Sequence, residues 1–424
     1  MITAFCVIIT QVVLFRPKRR GSTSMKIVQV NTVCGIGSTG RIALDLYHLI
    51  EHHGMNPYLA YGREPSENNI HKYRIGNRFD FCTHVFSNFF RGNSGFASKH
   101  VTGKFLSWLD TIQPDLLHLH NLHGFYLNIE LLFDYIKKRN VPVVWTLHDC
   151  WSFTGQCAHF DYVGCSKWKS QCYACPIYKS NYPYSLFCDN SEENYRRKKQ
   201  AFCGVKNLTI VTPSHWLAKL VSESFLKEYP IKVIPNGIDL DVFSPLNLIT
   251  SPKEKIILGV ANVWSKRKGI DDFFHLVNLL PQEYKVILIG VSHKQAKMIN
   301  RRFNGHIMGI TRTHNVLQLV EYYRSAYVFV NPTYEDNFPT TNLEALACGT
   351  PVITYQTGGS PESITPETGI VVPKGNVKEL ARAILSLKNN RTISSQACRK
   401  HAMQYEKGQC FSEYITLYKD LLLR

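Results

Sequence analysis

The chain has 424 residues, 44% of them hydrophobic and 12% aromatic. That composition excludes a disordered or fibrous protein and is enough to core two domains. The formal charge of +17 suits nucleic acid, an anionic membrane surface or phosphate-bearing substrates. No arginine-rich arm, zinc-finger helix or RNA-binding signature accompanies it, which points away from nucleic acid. The 13 cysteines are not spaced like a small secreted scaffold. Without a secretory signal they are expected as thiols or metal ligands in a reducing cytoplasm.

Residues 1–24 read as a leader outside the fold. Ile2 to Phe15 is apolar but short for a membrane span. Arg16, Lys18, Arg19 and Arg20 follow it, the reverse of a secretory signal. Either Met25 is the working start, or the leader is a basic, membrane-adhering segment. From Met25 to Asn31 an apolar strand is expected, then the turn Cys34-Gly35-Ile36-Gly37-Ser38-Thr39-Gly40-Arg41 and an amphipathic helix from Ile42 to about His52. Such a unit aims backbone N–H groups and a positive helix end at an anion, with Gly35 and Gly37 as candidates. Glycine turns also serve only to pack helix on strand, and no acid stands at the ribose position of a Rossmann fingerprint.

Further strands are expected at Pro57–Tyr61, Asp115–His120, Val141–Leu147, Leu208–Thr212 and Ile231–Ile234. Two of them end in His120-Asn121 and His148-Asp149 on the same rim of one sheet, which makes His120, Asn121 and His148 site candidates beside their ordinary role as packing residues. Between residues 150 and 188 lies a cysteine-rich insertion. Cys157, Cys165, Cys172 and Cys175 are spaced for either a tetrahedral structural zinc site or ordinary buried thiols. Pro235-Asn236-Gly237-Ile238-Asp239 is turn-rich and closes a first domain at residue 240. Asp239-Leu240-Asp241 superficially matches a metal-binding Asp-x-Asp, but its place after this turn reads as helix-start chemistry.

A second alternation spans residues 241–405, with strands at Ile256–Ala261, Tyr284–Gly290, Ala326–Val330, Pro351–Thr354 and Ile370–Val372. Strand and helix alternating twice predicts an α/β protein of two doubly wound parallel sheets. Ser265-Lys266-Arg267-Lys268-Gly269 places cations at a helix start, where they are unfavourable unless an anion is bound. Asn331 to Glu362 then gives strand, acidic loop, short helix, strand and glycine turn, with polar residues at strand ends where ligands of parallel sheets sit. Glu335 and Asp336 lie in the loop. Glu344 lies in the helix, where Thr341-x-x-Glu344 also reads as a capping box. Thr357, Gly358 and Gly359 form the last turn.

This stretch resembles the donor site of the retaining GT-B glycosyltransferases of family 4. The resemblance rests on Asp336, Glu344 (the second acid of their paired motif), Ala345, Ala347, Gly349, Pro351, Val352, Gly358, Gly359, Pro361 and Glu362. It implies two Rossmann-like domains facing across a cleft, with residues 406–424 returning as a helix to the first domain. It implies a nucleotide-sugar donor, a glycan or lipid-linked acceptor, no catalytic cofactor, and a cytoplasmic enzyme resting on the membrane. By position it gives Lys268 the phosphate-binding lysine role, with Lys266 or Arg267 in place of an arginine usually found where Val263 stands. It sets Glu344 on the ribose hydroxyls, His148 near the sugar, and backbone donors at Gly35, Gly37 and Thr357-Gly358-Gly359. The family has glutamate where Asp336 stands, with Glu335 one place earlier, so either acid can face the sugar. A phosphorylase or sugar hydrolase on the same fold, or a catalytically lapsed sugar-binding protein, are the alternatives.

Overall fold

The computed structural model describes residues 24–65, 68–245 and 255–423. The expected leader falls almost entirely outside them. The first domain holds strands β1 (Lys26–Cys34), β2 (Asn56–Pro65), β3 (Lys72–Arg74), β4 (Leu116–Leu119), β5 (Val143–Thr146), β6 (Leu208–Thr212) and β7 (Ile231–Val233), in spatial order β3-β2-β1-β4-β5-β6-β7. The second holds β8 (Lys255–Val260), β9 (Tyr284–Ile289), β10 (Ile307–Ile310), β11 (Val328–Asn331), β12 (Val352–Tyr355) and β13 (Gly369–Val372), ordered β10-β9-β8-β11-β12-β13. All neighbours pair in parallel. Strands β4, β5, β6, β11 and β12 are buried throughout, as a parallel sheet covered by helices on both faces requires.

Two edge strands went unforeseen. β3 is three residues long and only partly buried, and β10 leaves Met308 exposed, so neither makes a continuous apolar run. The glycine turn is also tighter than expected. β1 runs on to Cys34, and the helix already starts at Gly37.

Both strand orders reverse beside the first strand of their domain, between β1 and β4 and between β8 and β11. At such a point the connecting loops part and leave a crevice at the carboxyl ends of the strands. Loops from both crevices line one cavity. The linker and the C-terminal helix help tie the domains together. Ile238 in the linker donates to the Tyr405 carbonyl at 2.7 Å, and the Lys407 N–H returns to the Ile238 carbonyl at 3.0 Å. The helix Lys407–Leu422 then buries Phe411, Tyr414, Ile415 and Tyr418 against Ile27, Leu116, Val144 and Val211 of the first sheet.

Candidate active site

The cavity between the domains measures about 440 Å³. On the second-domain side β8 gives way to a single 3-10 turn, Lys266–Lys268, ended by Gly269 at φ 74°. A Cβ at Gly269 would fall 2.2 Å from the Pro332 carbonyl oxygen, so glycine lets this turn press on the loop after β11. The contact brings Lys268 Nζ to 2.5 Å from Asp336 Oδ2. Burial works to raise the Asp336 carboxyl, but Lys268 and then Arg267 outweigh it and hold it below the usual carboxylate range. Asp336, Lys268 and Arg267 all line the cavity.

Glu335 turns the other way. It is 2% exposed, its Oε2 accepts the Tyr162 N–H at 2.8 Å, and Arg267 Nε lies 3.6 Å from its other oxygen. Of the two neighbouring acids, Asp336 lies on the cavity wall and Glu335 faces the cysteine-rich insertion.

Glu344 sits on the helix Thr340–Ala347, which begins behind Pro339 with no side-chain cap. The capping box that Thr341 and Glu344 spell out is not formed. Glu344 instead accepts from the Tyr323 hydroxyl at 2.8 Å and lines the cavity. Burial raises its carboxyl, against the opposing pull of Tyr323 and Arg41. Arg41 was not foreseen. Gly35 and Gly37, at φ 71° and 67°, shape the turn that delivers it, while Ser38, Thr39 and Arg41 are the residues that reach the cavity. The Thr357-Gly358-Gly359 turn lies behind the cavity wall. A Cβ on Gly358 would meet the Asp336 carbonyl oxygen at 1.8 Å, and the Gly359 N–H donates to that carbonyl at 3.2 Å, so this turn braces the acidic loop.

On the first-domain side a hydrogen-bond chain runs from β1 to His148. Gln29 Nε2 donates to the Ala43 carbonyl at 2.9 Å, which leaves its Oε1 to accept from His120 Nε2 at 3.2 Å. His120 Nδ1 lies 3.2 Å from His148 Nε2. Burial holds His120 well below its ordinary value and His148 down to about 4, so both rings are neutral near pH 7. With His120 Nε2 carrying its proton, His120 Nδ1 accepts and His148 Nε2 donates. His148 Nδ1 is thereby left as an acceptor. His148 lines the cavity, and its carbonyl takes the Asn337 amide at 3.1 Å across the cleft.

His118 packs inside the fold, between Thr146 and Tyr418. Asn121 uses its backbone, accepting from Thr32 and Tyr126 beside a small pocket. That pocket also holds His123, whose Nε2 lies 2.7 Å from Asp149 Oδ2. Asp239 Oδ1 accepts the Asp241 and Val242 N–H groups at 3.1 Å and Oδ2 pairs with Lys407, so the Asp-x-Asp caps a turn.

The insertion crosses the cleft. Its short turn Asp161–Val163 bonds Glu335 through Tyr162, and Asp161 Oδ2 takes Thr357 Oγ1 and Lys374 Nζ, each at 3.1 Å. Cys157, Cys165, Cys172 and Cys175 line one small pocket at its base. Among the described residues, no group of three or more His, Cys, Asp or Glu side chains is arranged to hold a metal ion.

Comparison with known proteins agrees with this architecture. The model for "Glycosyltransferase Family 4" matches residues 40–242, and that for "Glycosyl transferases group 1" matches residues 254–390. The chain is 25% identical to WcaC of Escherichia coli (strain K12), named as a colanic acid biosynthesis glycosyl transferase, over 94% of this chain and all of that protein. Among solved structures, sucrose-phosphate synthase from Thermosynechococcus elongatus superposes with a TM-score of 0.70 at 18% identity, over 94% of this chain and 99% of that one. Anabaena HepE, solved with UDP-glucose, superposes at 0.63 and 14% identity over 93% and 99%. With two Rossmann-like parallel-sheet domains and both family models matched, this chain belongs to the group 1, family 4 glycosyltransferases of GT-B fold.

Proposed function

We propose that the protein transfers a sugar, with retention of anomeric configuration, from a nucleotide sugar to a glycan or lipid-linked acceptor in the building of a surface polysaccharide. The observation that carries this reading is the composition of the cavity. Lys268 and Arg267 face Glu344 and Asp336 on one side, and the acceptor nitrogen of His148 lies on the other. Cations there neutralise the departing diphosphate, and a buried carboxylate at Glu344 can hold paired ribose hydroxyls. Such cations make an added divalent ion unnecessary for the transfer.

Asp336 is neutralised by Lys268 and Glu344 is held by Tyr323, so neither stands free as a nucleophile. The chemistry then runs on one face. The anomeric C–O bond breaks with its electron pair going to the diphosphate. The acceptor oxygen bonds the anomeric carbon from the same side, and its proton passes to a phosphate oxygen. The relatives named above, one tied to colanic acid and one solved with UDP-glucose, support a polysaccharide product and a uridine donor.

A lipid-linked acceptor fits a membrane-facing first domain. Phe79, Phe86 and Phe187 are 75%, 63% and 62% exposed, and Phe90 stacks on Phe187 at 4.8 Å, flanked by Arg78 and Arg91. Aromatic side chains with basic neighbours suit a lipid interface. Among the described residues no helix is long and apolar enough to cross a membrane.

The test is a panel of nucleotide sugars with polyprenyl-diphosphate-linked saccharides as acceptors, assayed without added divalent ion, with proton NMR of the product. An α-donor giving an α-linkage supports the proposal. A β-linkage contradicts retention, and donor binding without transfer from any member would favour the lapsed sugar-binding alternative.

A further inference from the structure

The insertion carries a feature that sugar transfer does not use. Cys157, Cys165, Cys172 and Cys175 belong to three separate turns, yet all four line one pocket of about 20 Å³, roughly the room of a single water or ion. Ordinary buried thiols scatter through a core, whereas these line a single pocket. Two of the sulfurs already accept backbone N–H groups. Gly155 donates to Cys172 Sγ at 3.2 Å, and Ile177, two residues on, donates to Cys175. The turn between Cys172 and Cys175 holds Ala174 at φ 40°, a left-handed conformation that a residue with a side chain enters only at a cost.

The charge nearby is also unusual. Lys198 is fully buried, donates to the Trp151 and Thr154 carbonyls at 2.7 and 3.1 Å, and lies 3.5 Å over the Trp151 ring. Among the described residues no carboxylate bonds it, and it is close enough to Cys157 and Cys172 to interact with both. Burial pushes its ammonium down to about 7, which relieves the cost of holding the charge there.

We propose that Cys157, Cys165, Cys172 and Cys175, which line one pocket, bind one zinc ion as a structural site. As the structure stands, no group of three or more His, Cys, Asp or Glu among the described residues is arranged to hold a metal ion, so binding would have to draw the four thiols that line the pocket in toward roughly 2.3 Å from the metal and release their protons to solvent. Phe153, Phe160 and Trp168 pack together beside the site and keep it dry. Cys157 and Cys165 flank the Asp161–Val163 turn, so the metal would clamp the base of the segment that crosses the cleft. The ion is structural and takes no part in the transfer.

The full chain, purified without chelator, is expected to carry about one zinc ion, released when a mercurial blocks its thiols. Cobalt added to metal-stripped wild type should give the thiolate charge-transfer and visible bands of a tetrahedral sulfur site. Cys172→Ser and Cys157→Ser should lose the metal, while Cys203→Ser, outside the cluster, should keep it. Should the serine variants fail to fold, the cobalt spectrum of the wild type still decides. Folded wild type without zinc and without cobalt bands overturns the proposal, as does full zinc content in the Cys172→Ser variant. None of these readouts depends on sugar transfer.

Discussion

At the scale of single residues, Lys268 and His148 show how burial and pairing set charge in the cleft. Lys268 is the nearest cation to Asp336, so Lys268→Ala would strand a half-buried carboxylate as well as remove a phosphate contact. Turnover is expected to fall roughly 100- to 1000-fold, the usual loss when a preorganised charge is removed, while Lys268→Arg keeps part of it; steady-state kinetics decides. His148 gives a prediction in pH. The unfolded chain takes up its proton near 6.5, the folded chain only at about 4. Between those values the unfolded state binds the extra proton, so acidification destabilises, by about 2 kcal/mol from pH 7 to 5 for this one group. Thermal melts should therefore lose more stability over that range in wild type than in His148→Gln; equal losses would mean that His148 is not buried neutral. Gln29→Leu should free the His148 tautomer, visible in nitrogen-15 NMR of the ring, and slow turnover by roughly five- to tenfold, the worth of one orienting hydrogen bond.

At the scale of elements, the turn Asp161–Val163 is the part that joins insertion to donor side. Asp161→Ala removes its bonds to Thr357 and Lys374, and about 1 kcal/mol of lost cross-cleft contact should raise donor KM roughly fivefold with little change in kcat. An unchanged KM would show that the turn is not coupled to donor binding. The sequence made the central strands legible because β4, β5, β6, β11 and β12 are unbroken buried runs. It left β3 and β10 hidden because short, half-exposed edges carry no such run. The acidic loop was legible as a motif, but not which acid faces the cavity, because that depends on Tyr162, 173 residues away. The competing capping-box reading of Glu344 fails for the same reason. Local spacing shows Thr341, whereas the partner that wins is Tyr323, on the helix Val316–Ser325. Arg41 gave no signal beyond its place after a glycine turn.

At the scale of the whole molecule, the helix Lys407–Leu422 and the linker at Ile238 hold the two sheets in the relation that forms the cavity. Tyr418 is fully buried and bonds His118 Nδ1 at 2.6 Å, so Tyr418→Ala opens a cavity and orphans a buried histidine. A loss of about 3–5 kcal/mol is expected, read as a lower midpoint in denaturant, and Tyr418→Phe should cost much less. The central claim is that this cavity binds a nucleotide sugar. The most direct test is a thermal-shift panel of nucleoside diphosphates and their sugars on wild type and on Lys268→Ala. A ligand at about a hundred times its Kd adds roughly 2.7 kcal/mol of stability. A clear rise with one base, lost in Lys268→Ala, is the predicted result. No rise with any nucleotide, or a rise that Lys268→Ala leaves intact, would contradict the assignment.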